Sequence, residues 1–139
     1  MQDFKSIVEQ YLDAIPRRDF SSIRQMLHPQ YSYTGSDAKR KEGPDAGIAV
    51  IEMYTKAFPD MRIDIQHMAA SGNIIVTEFI AHGTHKGELL GISPTHRQVE
   101  IPVCNIIEIR DGKIFAEREY ADAMFIMQQL GVEIGHTHA

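Results

Sequence analysis

The sequence predicts an α+β fold, and two features of its hydrophobic patterning carry that prediction. Up to Phe58 the apolar residues recur at helical spacing; from Met61 onward they alternate with polar ones, the period of a half-buried strand. No segment of helical period separates the successive strands, which excludes a parallel doubly wound sheet with a helix at each crossover. Helices first and antiparallel strands afterwards give one curved sheet with the helices packed on its concave side.

Each element has its own local signal. Phe4, Ile7, Val8, Tyr11, Leu12 and Ile15 form the apolar stripe of a first helix, stopped by Pro16. Asp19 is placed to cap a second, short helix whose Phe20, Ile23, Met26 and Leu27 face one way and which ends at His28-Pro29. Tyr31 to Thr34 reads as a brief strand and Gly35 to Gly43 as a polar loop. Pro44 suits the first turn of a third helix, with Asp45 beside the positive end of its dipole and Ile48, Ile51, Tyr54 and Phe58 on its buried face. Met61, Ile63 and Ile65 then alternate with Arg62, Asp64 and Gln66, and Ser71-Gly72-Asn73 turns the chain into a strand from Ile74 to His82. A glycine-rich excursion, Gly83 to Thr95, leads to a long strand, Arg97 to Ile109, and Asp111-Gly112 turns into the last strand, Lys113 to Ala121. Asp122 caps a terminal helix, Ala123 to Leu130, closed by a left-handed Gly131; the tail from Gly135, with His136 and His138, is expected to fray.

Composition narrows the function classes. With 139 residues, 43% of them hydrophobic and 24% charged, the chain has the size of one globular domain, residues 1–139. A net charge of −5 with no basic stripe speaks against a nucleic-acid partner. Cys104 is the single cysteine, cannot form an internal disulfide and reads as a small strand filler. The opening MQDFKSIVEQ lacks a basic n-region and an apolar h-region, and no uncharged apolar stretch is long enough for a bilayer; the expected address is the cytoplasm, with no membrane partner. Phosphate-loop, dinucleotide, nucleophile-elbow and Cys-x-x-Cys patterns are missing, and no cofactor is expected. His82, His85 and Glu88 are spaced by three, a spacing that alternates faces on a strand, so no metal site is expected there. His85 is expected instead to hold its turn by hydrogen bonding.

Five segments carry a resemblance: Phe58-Pro59-Asp60-Met61, Gly83-Thr84-His85-Lys86-Gly87, Gly91-Ile92-Ser93-Pro94-Thr95, Asp111-Gly112-Lys113-Ile114 and Gln128-Gln129-Leu130-Gly131. In order and spacing the chain resembles, over essentially its whole length, the SnoaL-like polyketide cyclases of the superfamily that includes nuclear transport factor 2 and ketosteroid isomerase. The resemblance implies a cone: a curved antiparallel sheet wrapped around N-terminal helices, a short C-terminal helix, an apolar pocket at the open end, and a homodimer paired through the sheet. It also implies a site. The acid/base aspartate of the cyclases lies in a His-Arg-Asp run after the Gly-Lys-Ile turn, which here reads Glu117-Arg118-Glu119, so Glu119 stands in its place. Val103 and Asn105 replace a Gln and a His of the neighbouring strand. Tyr11 falls where ketosteroid isomerase carries an oxyanion-binding tyrosine, whereas Thr34 and Gly35 fall near that enzyme's aspartate base.

The residues themselves leave the facing of the last strand open. Val99, Ile101, Val103, Asn105, Ile107 and Ile109 make one apolar row, interrupted only by Asn105, that should face the pocket. A two-residue type I′ turn at Asp111-Gly112 would pair Arg110 with Lys113 and set Arg118 and Tyr120 inside. A three-residue loop, Arg110-Asp111-Gly112 with Gly112 left-handed in a G1 bulge, would set Glu119 opposite Val103 and Glu117 opposite Asn105. Burial favours the first and the resemblance the second, which is the reading adopted.

On that reading Glu119 is the acid/base, its carboxyl tuned upward by desolvation and by Glu117 about 6–7 Å along the same face. Tyr11 and Asn105 supply the donors for an enolate oxygen, and Glu117, Tyr33 and Val103 contact the substrate. Two functions follow: a cofactor-independent enzyme that moves a proton next to a carbonyl of a small apolar substrate, in an intramolecular aldol cyclisation or an isomerisation, or a non-catalytic binder of a small apolar molecule. A sheet-mediated protein-interaction module would need an exposed apolar patch on the sheet.

Overall fold

The computed structural model describes residues 3–132, so the expectation for the tail with His136 and His138 lies outside the described residues. The elements in chain order are α1 (Phe4–Ala14), α2 (Phe20–Met26), β1 (Leu27–Thr34), β2 (Arg40–Glu42), α3 (Pro44–Ala57), β3 (Arg62–Ser71), β4 (Ile74–Thr84), β5 (Gln98–Arg110), β6 (Lys113–Ala121) and α4 (Ala123–Leu130). Asp3, Asp19 and Asp122 cap α1, α2 and α4 by accepting from Lys5, Ser22 and Phe125 backbone N–H groups. Gly131 closes α4 in the left-handed region, at φ 73°.

The six strands form one sheet in the order β2-β1-β6-β5-β4-β3. Two features differ from the sequence expectation. β1 starts at Leu27, directly where α2 ends, and it pairs parallel with β6 in an otherwise antiparallel sheet. β2 lies inside the stretch read as loop; it is a three-residue charged edge strand, Arg40-Lys41-Glu42, with no apolar alternation to mark it.

The helices pack into the concavity. Val8, Tyr11 and Leu12 of α1, Ile23 of α2, and Ile48 and Ile51 of α3 meet Ile75, Phe79, Val103, Ile107, Ile109 and Ile114 of the sheet. A smaller cluster of Phe58, Leu89, Val99 and Leu130 joins α4 to the excursion between β4 and β5. His85 holds that excursion as expected: its Nδ1 accepts from the Thr95 N–H at 3.1 Å and lies 3.0 Å from Thr95 Oγ1.

The β5–β6 connection corrects the adopted turn. Arg110 pairs with Lys113, and both Asp111 (φ 53°) and Gly112 (φ 69°) are left-handed, which makes a two-residue type I′ turn rather than the three-residue G1 loop. The register then slips: Ile109 opposes Ile114 but Glu108 opposes Ala116, leaving Phe115 as a bulge. This one extra residue reverses the faces, so Glu117 and Glu119 point into the cone where the unbulged turn would have sent Arg118 and Tyr120. Glu119 consequently lies opposite Asn105, and Glu117 opposite Ile107, two residues from the pairing expected with Val103 and Asn105. Phe115 is held outside by the edge of the His28 ring, 5.2 Å between centroids, and by the Arg110 guanidinium 3.9 Å from its ring centre.

No helix among the described residues is long and apolar enough to cross a membrane.

Candidate active site

Alternation along each strand and the stripe of each helix aim eight side chains at one place. β5 contributes Val103 and Asn105, β6 Glu117 and Glu119, β1 Tyr31 and Tyr33, α1 Tyr11 and α3 Tyr54; all line one cavity of about 110 Å³. The six residues singled out from the sequence, Glu119, Tyr11, Asn105, Glu117, Tyr33 and Val103, are thus brought together. Tyr31 and Tyr54 were not anticipated as site residues. Tyr31 shares a strand face with Tyr33, two positions on, and that spacing is the signal that could have found it.

Glu117 is the hub. Its Oε1 accepts from the phenols of Tyr11 and Tyr31, both at 2.7 Å, and its Oε2 from Asn105 Nδ2 at 2.7 Å. All four residues are buried. A buried carboxylate is costly unless its lone pairs are satisfied, and three charge-assisted bonds meet that need. Helix α3 makes room for this through Gly47, where a Cβ would come within 2.5 Å of the Tyr31 ring. The neighbouring carboxyl is less engaged: Glu119 Oε2 accepts from the Tyr33 phenol at 3.1 Å, and its other oxygen has no partner among the described residues. Tyrosines two apart on β1 therefore meet glutamates two apart on the parallel strand β6.

The electrostatics follow from this packing. Burial, and then the charge of Glu117, push the Glu119 carboxyl up from its ordinary value to about 7, against a smaller opposing pull from the Tyr33 hydrogen bond. Burial first and the carboxylates second push the phenols of Tyr11, Tyr31, Tyr33 and Tyr54 above their ordinary value, so all four stay protonated as donors. Tyr11 and Asn105, expected to face an enolate oxygen, spend these donors on Glu117 instead. Asn105 Oδ1 and Thr77 Oγ1, on directly opposed residues of β5 and β4, are buried without partners among the described residues. His82 lies between Asp64 and Glu100, at 3.9 and 3.6 Å, and among the described residues no group of three His, Cys, Asp or Glu is arranged to hold a metal ion.

Residues 5–130 match the family model of the SnoaL-like polyketide cyclases. The chain belongs to this family. Relatives include the aklanonic acid methyl ester cyclase AcmA of Streptomyces galilaeus, 22% identical over 133 residues that cover 94% of this chain and 92% of the relative. The nogalonic acid methyl ester cyclase of Streptomyces nogalater is 24% identical over 111 residues, covering 78% and 83%. Among solved structures, a SnoaL-like protein of Jannaschia sp. CCS1 superposes with a TM-score of 0.87 at 19% identity, covering 96% of this chain and all of that one. TsrD of Streptomyces laurentii superposes at 0.83 with 22% identity, covering 93% and 95%. At such identities the structures establish the fold, the SnoaL-like cone, and membership of a cyclase family supports cyclase function at that general level.

Proposed function

We propose that this family member is a cofactor-independent acid/base enzyme that closes a ring by intramolecular aldol addition, or isomerises, next to a carbonyl of a small apolar substrate. One observation carries the reading: the Glu119 carboxyl sits in a mostly aliphatic and aromatic cavity, with one oxygen unpartnered among the described residues and an affinity for protons raised to about 7. Such a group is half-ionised near neutrality and suited to taking a proton from carbon and giving it back. Glu119 removes the proton beside the carbonyl, and the C–H electron pair becomes the enolate. The Tyr54 phenol, which lines the same cavity and is free of partners among the described residues, donates to the enolate oxygen. The enolate carbon then attacks a second carbonyl of the same molecule, and Glu119 returns its proton to the new alkoxide. Tyr11, Tyr31 and Asn105 are positioning residues, since they act by fixing Glu117, whose charge tunes Glu119. Tyr33 and Val103 form the substrate wall.

The experiment is exchange of the hydrogens beside the carbonyl of a small cyclic ketone in D2O, followed by NMR. Wild-type protein accelerates the exchange and Glu119→Gln abolishes it while the protein stays folded; equal exchange by the two proteins refutes the assignment of Glu119. The non-catalytic binder remains the alternative reading, favoured by the donors spent internally on Glu117, and it predicts ketone binding with no exchange in either protein.

The same proposal places a single domain of residues 1–139 in the cytoplasm as a homodimer. What supports the dimer is the outer face of the sheet, where Val76 pairs with Ile106, Ile80 with Pro102 and Cys104 with Tyr120, and where Val76 is 37% and Tyr120 54% exposed.

A further inference from the structure

We infer that the cavity is a size and charge sieve that admits compact, uncharged carbonyl compounds of about one ring and rejects fused polycycles and anions. The carbonyl rests on the reading above; the limits on size and charge come from the walls alone.

The volume is about 110 Å³. A cavity of roughly 150 Å³ holds a single benzene, and pockets for larger ligands run to about 300–1,000 Å³. The aromatic walls are not free to retreat. Tyr11 and Tyr31 are tied to Glu117 and Tyr33 to Glu119, so moving any of these rings breaks a hydrogen bond to a carboxylate. Tyr31 also lies flush against Gly47. Phe58 is wedged between Gly83, where a Cβ would come within 2.9 Å of it, and the His85 ring at 5.7 Å. Widening the cavity on its tyrosine side therefore disrupts the network that tunes Glu119.

Charge acts in the same direction. Among the described residues the lining contains Glu117 and Glu119 and no Lys, Arg or His. An anionic ligand would enter beside buried negative charge with no cation among the described residues to meet it, and like-charge juxtaposition opposes its binding.

The test is calorimetric binding to the full chain of cyclohexanone, α-tetralone and anthrone, ketones of one, two and three rings. A second pair comprises methyl 4-oxocyclohexanecarboxylate and its free carboxylate at pH 8. Cyclohexanone and the methyl ester should bind, while anthrone and the carboxylate bind at least about tenfold more weakly than their counterparts. Ile126→Ala, which removes wall volume contributed by α4, should raise affinity for α-tetralone about tenfold. Anthrone binding as tightly as cyclohexanone, the carboxylate matching its ester, or no neutral ketone binding at all overturns the sieve. Binding that follows ring size without Glu119-dependent exchange would refute the catalytic reading and leave the sieve standing. Glu119-dependent exchange on cyclohexanone together with equally tight binding of anthrone would do the reverse.

Discussion

Glu117 and Glu119 share one strand face, yet their surroundings give them different work. Three donors saturate Glu117, whereas Glu119 has one, and burial together with the charge next door raises its proton affinity to about 7. The rate of proton abstraction should therefore climb with pH through a midpoint near 7 as Glu119 ionises. In Glu117→Gln the repelling charge is gone, and the midpoint should move to lower pH; a pH–rate profile of both proteins reads this directly. The same shift has a stability consequence. Because the folded-state value is raised above the ordinary carboxyl value of 4.5, Glu119 contributes stability that is fully present below about 4.5 and is lost as pH rises through about 7. Melting temperatures between pH 5 and 8 should fall more steeply for wild type than for Glu119→Gln. At this scale the sequence was informative in part: an isolated Asn in an apolar row led to the cavity, whereas the glutamate pair was placed there by the family resemblance against the burial pattern. Tyr31 and Tyr54 were not legible, because a tyrosine on an apolar face reads the same whether its hydroxyl meets a carboxylate or solvent.

The last hairpin decides which side chains β6 sends inward. Its turn is type I′, as Asp-Gly chemistry favours, and by itself that turn would have buried Arg118 and Tyr120. The bulge at Phe115 reverses the outcome. Deleting Phe115 should restore an unbulged ladder and force a guanidinium toward the cone interior. The expected result is loss of cooperative unfolding in a denaturant titration monitored by near-UV circular dichroism, and a native-like transition would show that the bulge is dispensable. Nothing local to residues 113–121 announces this bulge. Its anchors are His28, from the start of β1, and Arg110 across the turn, so it is a contact between distant segments that happens to set a local register.

At the scale of the whole molecule, the proposed dimer rests on the outer face of the sheet. Val76→Asp places a charge among the cross-strand pairs Val76–Ile106 and Ile80–Pro102, far from the cavity on the other side of the sheet. Light scattering coupled to size exclusion should report a dimer for wild type and a monomer for the variant, with ketone binding retained. A monomeric wild type would remove the dimer from the proposal.

Helix stripes, aspartate caps, the change of period after Phe58 and the strand limits Lys113–Ala121 depend on interactions within a few residues, and these the sequence by itself determined. The parallel pairing of β1 with β6, the diversion of Tyr11 and Asn105 onto Glu117, and the inward turn of the two glutamates were decided only in the tertiary structure. Each is a meeting of segments far apart in the chain, and periodicity specifies which face of an element is apolar without specifying which element will lie against it.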